Sequence, residues 1–294
     1  MSTFAELRIA VREPGRVEQR VACPRCAKHD RDDTLGVNTR SGAFHCFRCG
    51  WSGRAGTGET QPPVPIACCV DSRQAERKRK RLNDTWASCV PLNDVAAAPV
   101  QRYLLSRGLA GLLSQDCPHN LRAHPALKYF DEEGREVGIF AAMVGLLQSL
   151  GGRGATLHLT YLNRDGTKAP VSSPKKLLPP AARGATRGGA IQLYAPDKGV
   201  LGIAEGIENA LSLRSMLGFP CWSTYCAQNL ATIALPTGLQ LLHIVIDVDA
   251  SGTGAAAART LTARAQRQGI DVRHVIPEGA GPRDLNDELR RRIN

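Results

Sequence analysis

Two pairs of cysteines constrain this 294-residue chain more than any other feature of its sequence. Cys23 and Cys26 form "CPRC", Cys46 and Cys49 form "CFRC", and 19 residues separate the pairs. Each C-x2-C turn places two thiolates side by side, and zinc takes four such ligands in a tetrahedron. The interval is long enough for two strands to fold back and bring the pairs together. The spacing predicts a zinc ribbon over residues 1–56 with one structural Zn²⁺ ion.

The charge balance points to a polyanionic partner. The 38 Lys and Arg residues exceed the 27 Asp and Glu residues, giving a net charge of +11. Such a charge favours nucleic acid or an acidic membrane surface. There is no run of 18 apolar residues, so we expect no membrane span. The first 15 residues, "MSTFAELRIAVREPG", lack an apolar signal core, which predicts a cytoplasmic protein.

Composition divides the rest of the chain into three parts. Residues 57–83 contain "QPPVPI" and then "ERKRKR", a pattern typical of a linker. Residues 84–195 combine the helical pattern "PVQRYLLSRGL" with the strand patterns "GREVGIFAAMVGLL" and "ATLHLTYLNRDGTKAP", so we expect an α+β segment. From residue 196 onward strands and helices alternate, which favours an α/β domain with a mostly parallel sheet.

Acidic residues follow the strand patterns of this last part. The apolar run "LLHIVI" leads into Asp247 and Asp249, "GVLGIA" leads into Glu205, and Asp284 follows the strand "VRHVIP". Carboxyl ends of parallel strands meet at one edge of a sheet, and neighbouring carboxylates repel each other unless a divalent cation lies between them. The alternative for each aspartate is that it caps the following helix. Taken together, the acids predict a Mg²⁺ or Mn²⁺ site.

Three segments, "AEGIENA", "IDVDASG" and "PRDLND", resemble the signature segments of the Toprim domain. With the N-terminal ribbon, the chain resembles bacterial replicative primase and the primase half of phage primase–helicases. "VQRYLLSRGL", "LHLTYLNRDGTKAPVSSPKKLL" and "GAIQLY" resemble the segment that precedes Toprim in primase-like proteins of phages and mobile elements. The resemblance implies a Toprim domain over residues 196–294, the N-terminal part of a primase core over 84–195, and a template-binding ribbon.

The resemblance also implies roles for individual residues. Glu205 becomes the acid–base or metal-orienting glutamate, and Asp247, Asp249 and Asp284 become ligands of Mg²⁺ or Mn²⁺. It places nucleotide-binding lysines in the segment before Toprim, where the candidates are Lys168, Lys175 and Lys176. A solvated basic loop is the alternative for "SPKKLLPP".

Two positions depart from the family pattern. Replicative primases place an aspartate four residues after the glutamate, whereas this chain has Asn209 there and Glu208 one residue earlier. The acidic repeat of the third segment is shifted, because Asn286 and Asp287 follow Asp284. Either change weakens one metal position without abolishing the site.

Basic and aromatic residues surround the cysteines of the ribbon, a combination that suits single-stranded nucleic acid. The DNA-binding candidates are Arg25, Lys28, Arg48 and Trp51. For the other two aromatic residues, Phe44 and Phe47, a place in the small core of the ribbon is an equally good interpretation.

We therefore expect a DNA primase that makes short RNA primers from ribonucleoside triphosphates on single-stranded DNA, for a phage, plasmid or mobile element. The alternatives are a non-catalytic recombination mediator with zinc and Toprim, a Toprim nuclease or topoisomerase, and a D-x-D phosphatase. The phosphatase leaves the ribbon unexplained, and a topoisomerase needs a much larger chain. No G-x4-G-K-[ST] motif occurs, so we expect a separate replicative helicase as partner.

Overall fold

The computed structural model describes residues 3–13, 15–27, 32–56, 72–114, 117–182, 184–279 and 281–293. The chain forms two compact units, residues 1–68 and 69–294. The boundary falls within the stretch predicted as a linker, and residues 57–71 of that stretch lie outside the described residues.

The first unit contains an antiparallel sheet of four short strands in the order β1-β2-β3-β4. The strands are β1 (Glu18–Val21), β2 (Leu35–Asn38), β3 (Ala43–Cys46) and β4 (Ser52–Arg54). Alternate residues point inward because the side-chain period of a strand is two, so Val21, Leu35, Val37 and Phe44 form a small core with Cys23 and Cys46. The predicted β ribbon is confirmed.

The second unit begins with three helices and an antiparallel sheet. The helices are α1 (Ser72–Ala87), α2 (Ala98–Ser106) and α3 (Gly111–Ser114), with a 3₁₀ turn at Val95–Ala97. The strands are β5 (Leu121–Phe130), β6 (Glu136–Gln148), β7 (Gly154–Leu162), β8 (Lys175–Leu177) and β9 (Ala190–Gln192).

Helix α1 differs from the predicted organisation, because residues 72–83 were assigned to the linker and are helical. Its sequence is rich in Arg, Lys, Glu and Ala, which are strong helix formers. Leu82 and Trp86 pack against the sheet and hold the helix in place. These apolar residues are set within a strongly basic stretch, which gives the segment the composition of a linker.

Strands and helices then alternate as predicted. They are β10 (Val200–Ala204), α4 (Ile207–Leu217), β11 (Cys221–Ser223), α5 (Ala227–Thr232), β12 (Leu241–Val245), α6 (Thr253–Gln266), β13 (Asp271–Val275) and α7 (Leu285–Ile293). The four strands lie parallel in the order β13-β12-β10-β11. Their apolar side chains are buried beneath α5 and α6 on one face and α4 on the other.

The parallel and antiparallel strands belong to one nine-stranded sheet. Strand β9 pairs antiparallel with β11 on one side and with β6 on the other. The boundary predicted at residue 195 therefore separates two parts of the sequence but lies within one continuous sheet. None of the helices in the described ranges has the length and apolar character needed to cross a membrane.

Candidate active site

The carboxyl ends of two neighbouring parallel strands bring the predicted acids together. Glu205 follows β10 and Asp247 follows β12, and these strands pair in register. Val248 and Arg283 exchange two backbone hydrogen bonds of 2.9 Å, which hold Asp284 beside them. Glu205, Asp247 and Asp284 line one cavity of about 290 Å³. The expectation that these three carboxylates share a site agrees with this geometry.

Two carboxyl groups of this cavity, those of Asp247 and Glu205, have a pKa above the usual value. Burial, with Asp284 and Glu205 nearby, raises the pKa of Asp247 to about 7. Burial and the charge of Asp249 raise the pKa of Glu205. Both shifts record the cost of holding several negative charges in a partly dehydrated space.

Asp249 does not line this cavity and has a different environment. One of its carboxylate oxygens accepts hydrogen bonds from the backbone N–H and the hydroxyl of Ser251, both at 2.7 Å, and from the Gly252 N–H at 2.9 Å. The Ser251 hydroxyl and these N–H groups hold the pKa of Asp249 below its usual value. Asp249 thus stabilises the turn that precedes α6, but it is not the helix cap, since the N-cap residue is Gly252 and no side chain caps the helix.

The acids suit a hard divalent cation by their chemistry. Oxygen donors are the ligands of Mg²⁺ and Mn²⁺, and a cation would relieve the repulsion that raises the pKa of Asp247. The carboxylate oxygens of the cavity lie farther apart than the ligand atoms of a metal site that is already assembled. Among the described residues, only the four cysteines form a group of three or more potential ligands whose atoms all lie within 4.8 Å of one another.

Two asparagines join the three acidic segments. The Asn209 amide donates a hydrogen bond of 2.8 Å to Asp247, and its oxygen accepts the Asn286 N–H at 3.1 Å. The Asn286 amide in turn donates to the Arg107 carbonyl at 2.8 Å and to the Ser212 hydroxyl at 3.0 Å. The two positions that depart from the family pattern therefore brace Asp247 and attach α7 to the end of α2.

Glu208 is a buried acid with its own cation. Its side chain receives the Tyr103 hydroxyl at 2.5 Å and the Lys175 ammonium at 2.8 Å. Although burial opposes ionisation, Lys175 and the Tyr103 hydroxyl lower the pKa of Glu208 to about 2. Glu208 is therefore ionised at neutral pH and fixes Lys175 at the wall of the cavity.

The three candidate lysines do not act as one group. Lys168 and Lys175 line the cavity with the acids, and burial with the neighbouring charges of Lys175 and Arg107 lowers the pKa of Lys168. Lys176 lies on the other face of β8, where its ammonium donates to the Phe130 carbonyl at 2.5 Å and lies 4.0 Å from the Tyr129 ring centre. Successive residues of a strand face opposite sides of a sheet, which separates Lys176 from its neighbour.

A glycine turn places Lys168. Gly166 has φ = +87°, and a Cβ atom there would lie 2.7 Å from the backbone nitrogen of Tyr103. Only glycine allows the turn after β7 to sit this close to α2. The turn then returns through Lys168, whose side chain faces the carboxylates across the cavity.

The sequence analysis missed several residues of the cavity wall, among them Tyr225, Arg107 and His158. His158 lies on β7, burial lowers its pKa to about 4, and its Nδ1 has no hydrogen-bond partner among the described residues. Tyr225 has the left-handed backbone φ of 57° that few non-glycine residues adopt. Arg107 and His158 stand in the segments "VQRYLLSRGL" and "LHLTYLNRDGTKAPVSSPKKLL", which offered a signal for the region but none for these individual residues, and Tyr225 stands in no quoted segment.

The ribbon cysteines fit a zinc ion. In a tetrahedron with Zn–S bonds of about 2.3 Å, sulfur atoms lie about 3.8 Å apart. Cys23 and Cys49 are separated by 3.8 Å between their sulfurs, and Cys26 and Cys46 by 3.4 Å. Burial raises the pKa of Cys46, but the N–H groups of Cys49 and Arg48 outweigh it and bring the pKa to about 6. The four thiols are thus arranged to hold one metal ion.

The DNA-binding candidates of the ribbon differ in their surroundings. The Arg25 guanidinium lies 4.5 Å from the Trp51 ring centre, so these two form a surface pair. Arg48 instead forms an ion pair with Asp32, whose carboxylate is buried, and donates to the Cys26 carbonyl at 2.9 Å. Arg48, next to the second cysteine pair, therefore neutralises the buried Asp32 carboxylate and is hydrogen-bonded to the first cysteine turn. Lys28 lies outside the described residues.

The two phenylalanines have opposite environments. Phe44 belongs to the ribbon core and packs on Trp51, with ring centres 4.6 Å apart. Phe47 is 42% exposed and lies beneath the Arg20 guanidinium at 4.0 Å. The core interpretation therefore applies to Phe44, whereas Phe47 offers a second pair of one basic and one aromatic side chain.

The acidic strand ends and the flanking helices match a known family. Residues 200–294 match the family described as the Toprim domain. The chain thus joins a four-cysteine ribbon to an α/β Toprim domain, and the predicted resemblance to zinc-ribbon and Toprim primases is confirmed at this level. Residues 76–188 match a second family, described as a domain of unknown function, DUF7146.

Solved structures similar to this fold include primase domains. Among solved structures, the zinc-binding and RNA polymerase domains of the Aquifex aeolicus primase are 16% identical, with a TM-score of 0.45 over 99% of this chain and 83% of that one. A DNA primase domain from Pseudomonas aeruginosa is 14% identical, with a TM-score of 0.45 over 74% of each chain. No curated protein matches the sequence.

Proposed function

We propose that this chain is a DNA primase, a nucleotidyltransferase that joins ribonucleotides into short primers on single-stranded DNA. The observation that carries the proposal is the cavity lined by Glu205, Asp247 and Asp284 of the Toprim domain and by Lys168 and Lys175 of the preceding segment. Carboxylates and ammonium groups in one cavity suit a substrate that carries both a reactive hydroxyl and a polyphosphate.

The protein side chains have separable tasks in this reaction. Joining two nucleotides forms a bond from the 3′-oxygen to the α-phosphorus and breaks the bond from that phosphorus to the departing pyrophosphate. Glu205 would take the hydroxyl proton, a role that its raised pKa supports. Lys168 and Lys175 face the polyphosphate, and Glu208 holds Lys175 in position. Fixed cations stabilise the charge that develops on the leaving group.

Two metals belong to the proposal. The residues that would hold Mg²⁺ or Mn²⁺ are Asp247, Asp284 and Glu205, and such an ion activates the hydroxyl and neutralises phosphate charge. One Zn²⁺ would be held by the ribbon cysteines. Arg25 and Trp51 of the ribbon would contact the template. A separate helicase in the cytoplasm would supply the single-stranded template.

Primer synthesis on a pool of single-stranded DNA templates, with labelled ribonucleotides and Mg²⁺ or Mn²⁺, tests the proposal. Wild type and an Asp271→Asn control, which removes an exposed carboxylate at the start of β13, should make short RNA products. Asp247→Asn should make none. DNA binding without any product would support a non-catalytic mediator, and shortened templates would indicate a nuclease.

A further inference from the structure

Helix α1 presents a dense band of positive charge on the second unit. It contains six basic and two acidic residues, in the sequence "SRQAERKRKRLNDTWA". The side chains of Arg73, Arg77, Arg79, Lys80 and Arg81 are exposed. None of these residues lines the acidic cavity.

Part of the charge of this band has no ion-pair partner among the described residues. Lys80 pairs with Asp84 at 2.7 Å, and both side chains are exposed, so solvent screens the pair. Within the described part of the chain, Arg77 and Arg79 form no ion pair. Concentrated charge of one sign is unfavourable unless an opposite charge neutralises it. The band is therefore suited to a polyanion.

The other side of α1 excludes a membrane as that polyanion. A helix that lies on a bilayer inserts an apolar face beside its basic one. In α1 the large apolar side chains are Leu82 and Trp86, and both pack against the sheet of the unit. No apolar face remains for lipid.

The exposed face also lacks the features of a protein interface. The cores of such interfaces are depleted of charge and rich in aromatic and aliphatic anchors. Apart from Ala87 at the end of the helix, the exposed positions of α1 are polar or charged. At the edge of the band, the Arg81 guanidinium lies 6.0 Å from the ring centre of Phe130, which is partly exposed on β5. Basic side chains beside an aromatic ring suit a nucleic-acid strand.

We propose that α1 is a docking surface for the phosphate backbone of nucleic acid, distinct from both the ribbon and the acidic cavity. It deepens the proposed function, since a primase must hold its template, or the primer paired with it, while nucleotides are joined. The contacts would be made with phosphates and would not depend on base sequence.

The salt dependence of binding tests this inference in the full-length protein. Fluorescence anisotropy would follow binding of labelled single-stranded DNA, duplex DNA and an RNA–DNA hybrid over a range of salt concentrations. The test variant is Arg77→Gln/Arg79→Gln/Lys80→Gln, because Gln preserves helix propensity. The control, Arg153→Gln/Arg259→Gln/Arg267→Gln, removes three exposed charges from other elements.

Each phosphate contact with a single strand contributes about 0.7 to the slope of log K against log salt. We expect the slope of the α1 variant to fall by about 2 on at least one of the three nucleic acids, and the control to keep the wild-type slope. The charge-retaining Arg77→Lys/Arg79→Lys variant should also keep it, which separates loss of charge from misfolding. Whichever nucleic acid shows the loss identifies the strand that α1 holds.

Equal slopes for the α1 variant and the control on all three nucleic acids would overturn the inference. This outcome is distinguishable from failure of the proposed function. If wild type makes primers while the slopes stay equal, the function stands without this surface. If wild type makes no primers but the slope of log K against log salt falls in the α1 variant, α1 still binds nucleic acid and the protein has an activity other than primer synthesis.

Discussion

The side-chain nitrogen of Asn209 lies 2.8 Å from a carboxylate oxygen of Asp247. Asn209 also accepts the backbone N–H of Asn286, so one amide ties the first acidic segment to the other two. At a position where replicative primases have an acid, this chain has a neutral donor that holds its most strongly perturbed carboxyl group in place.

Asn209→Asp should destabilise the protein when divalent metal is absent. The substitution replaces a donor to Asp247 with a second carboxylate, so a hydrogen bond is lost and repulsion is added. We expect the free energy of unfolding to fall by about 1–3 kcal/mol in chelator at pH 8. Mg²⁺ or Mn²⁺ should restore much of this loss. Thermal unfolding measures the loss of stability, with Asn83→Asp on the exposed face of α1 as the control. If Asn209→Asp were as stable as wild type in chelator, the Asn209 amide would not stabilise the folded protein.

Asp247→Asn should stabilise the metal-free protein at pH 8 but not at pH 4. The pKa of Asp247 rises from 3.8 to about 7 on folding, so the folded state binds the proton more tightly. The stability contributed by this group therefore falls as pH rises from about 4 to 7 and stays low above that. At about 1.4 kcal/mol for each pKa unit, and with partial exposure, we expect a gain of about 2–4 kcal/mol. Denaturant unfolding at both pH values provides the measurement, and equal stability of the two proteins at pH 8 would contradict it.

Lys175→Met should cost more stability than Lys176→Met. Removal of Lys175 leaves the buried Glu208 carboxylate with only the Tyr103 hydroxyl, which we expect to cost about 1–3 kcal/mol. Lys176 donates to a backbone carbonyl and lies over Tyr129, so its loss leaves no buried charge unpaired. Adding Glu208→Gln to Lys175→Met should recover part of the stability. A double variant less stable than Lys175→Met would show that the pair is not coupled in this way.

The Lys175 variants also separate stability from activity. If Lys175 contacts the polyphosphate, Lys175→Met/Glu208→Gln should remain deficient in primer synthesis even after stability recovers. Lys176→Met should retain activity, because this side chain faces away from the cavity. Primer yield at a temperature well below the unfolding of every variant gives the comparison.

Purified wild type should contain one zinc ion per chain, and Cys46→Ser should lose it. Cys46 is both a potential ligand and a member of the small ribbon core, so the ribbon should also unfold. Metal analysis by mass spectrometry tests the stoichiometry. Cys89→Ser is the control, since Cys89 lies after α1 and donates to the Thr85 carbonyl as a serine can. Full zinc content in Cys46→Ser would rule out the predicted ligand set.

The sequence predicts the local parts of this structure because those parts have periodic or fixed-spacing signals. The cysteine turns follow from the requirement of zinc for four close ligands. The acids follow from their position after apolar strands, since β10 and β12 place Glu205 and Asp247 at one edge. The same reasoning could not separate Asp249 from Asp247. Asp249 accepts hydrogen bonds from Ser251 and Gly252 in the turn that follows, and the order of the strands does not predict these bonds.

The remaining features depend on contacts between distant residues. Tyr103 and Glu208 are 105 positions apart, and Asn286 and Arg107 are 179 apart. No local pattern encodes such pairs. Helix α1 was assigned to the linker for a different reason, because a run of Arg and Lys has the composition of a linker and the propensity of a helix. Only the packing of Leu82 and Trp86 decides between them.

The proposed function depends most directly on the acidic cavity being a divalent metal site. Titration of Mn²⁺ into zinc-loaded wild type, followed by electron paramagnetic resonance, measures this independently of activity. We predict that wild type and the Asp271→Asn control bind Mn²⁺ and that Asp247→Asn does not at the same concentrations. Equal Mn²⁺ binding by all three proteins would contradict the assignment of Asp247 and, with it, the proposed site of nucleotide joining.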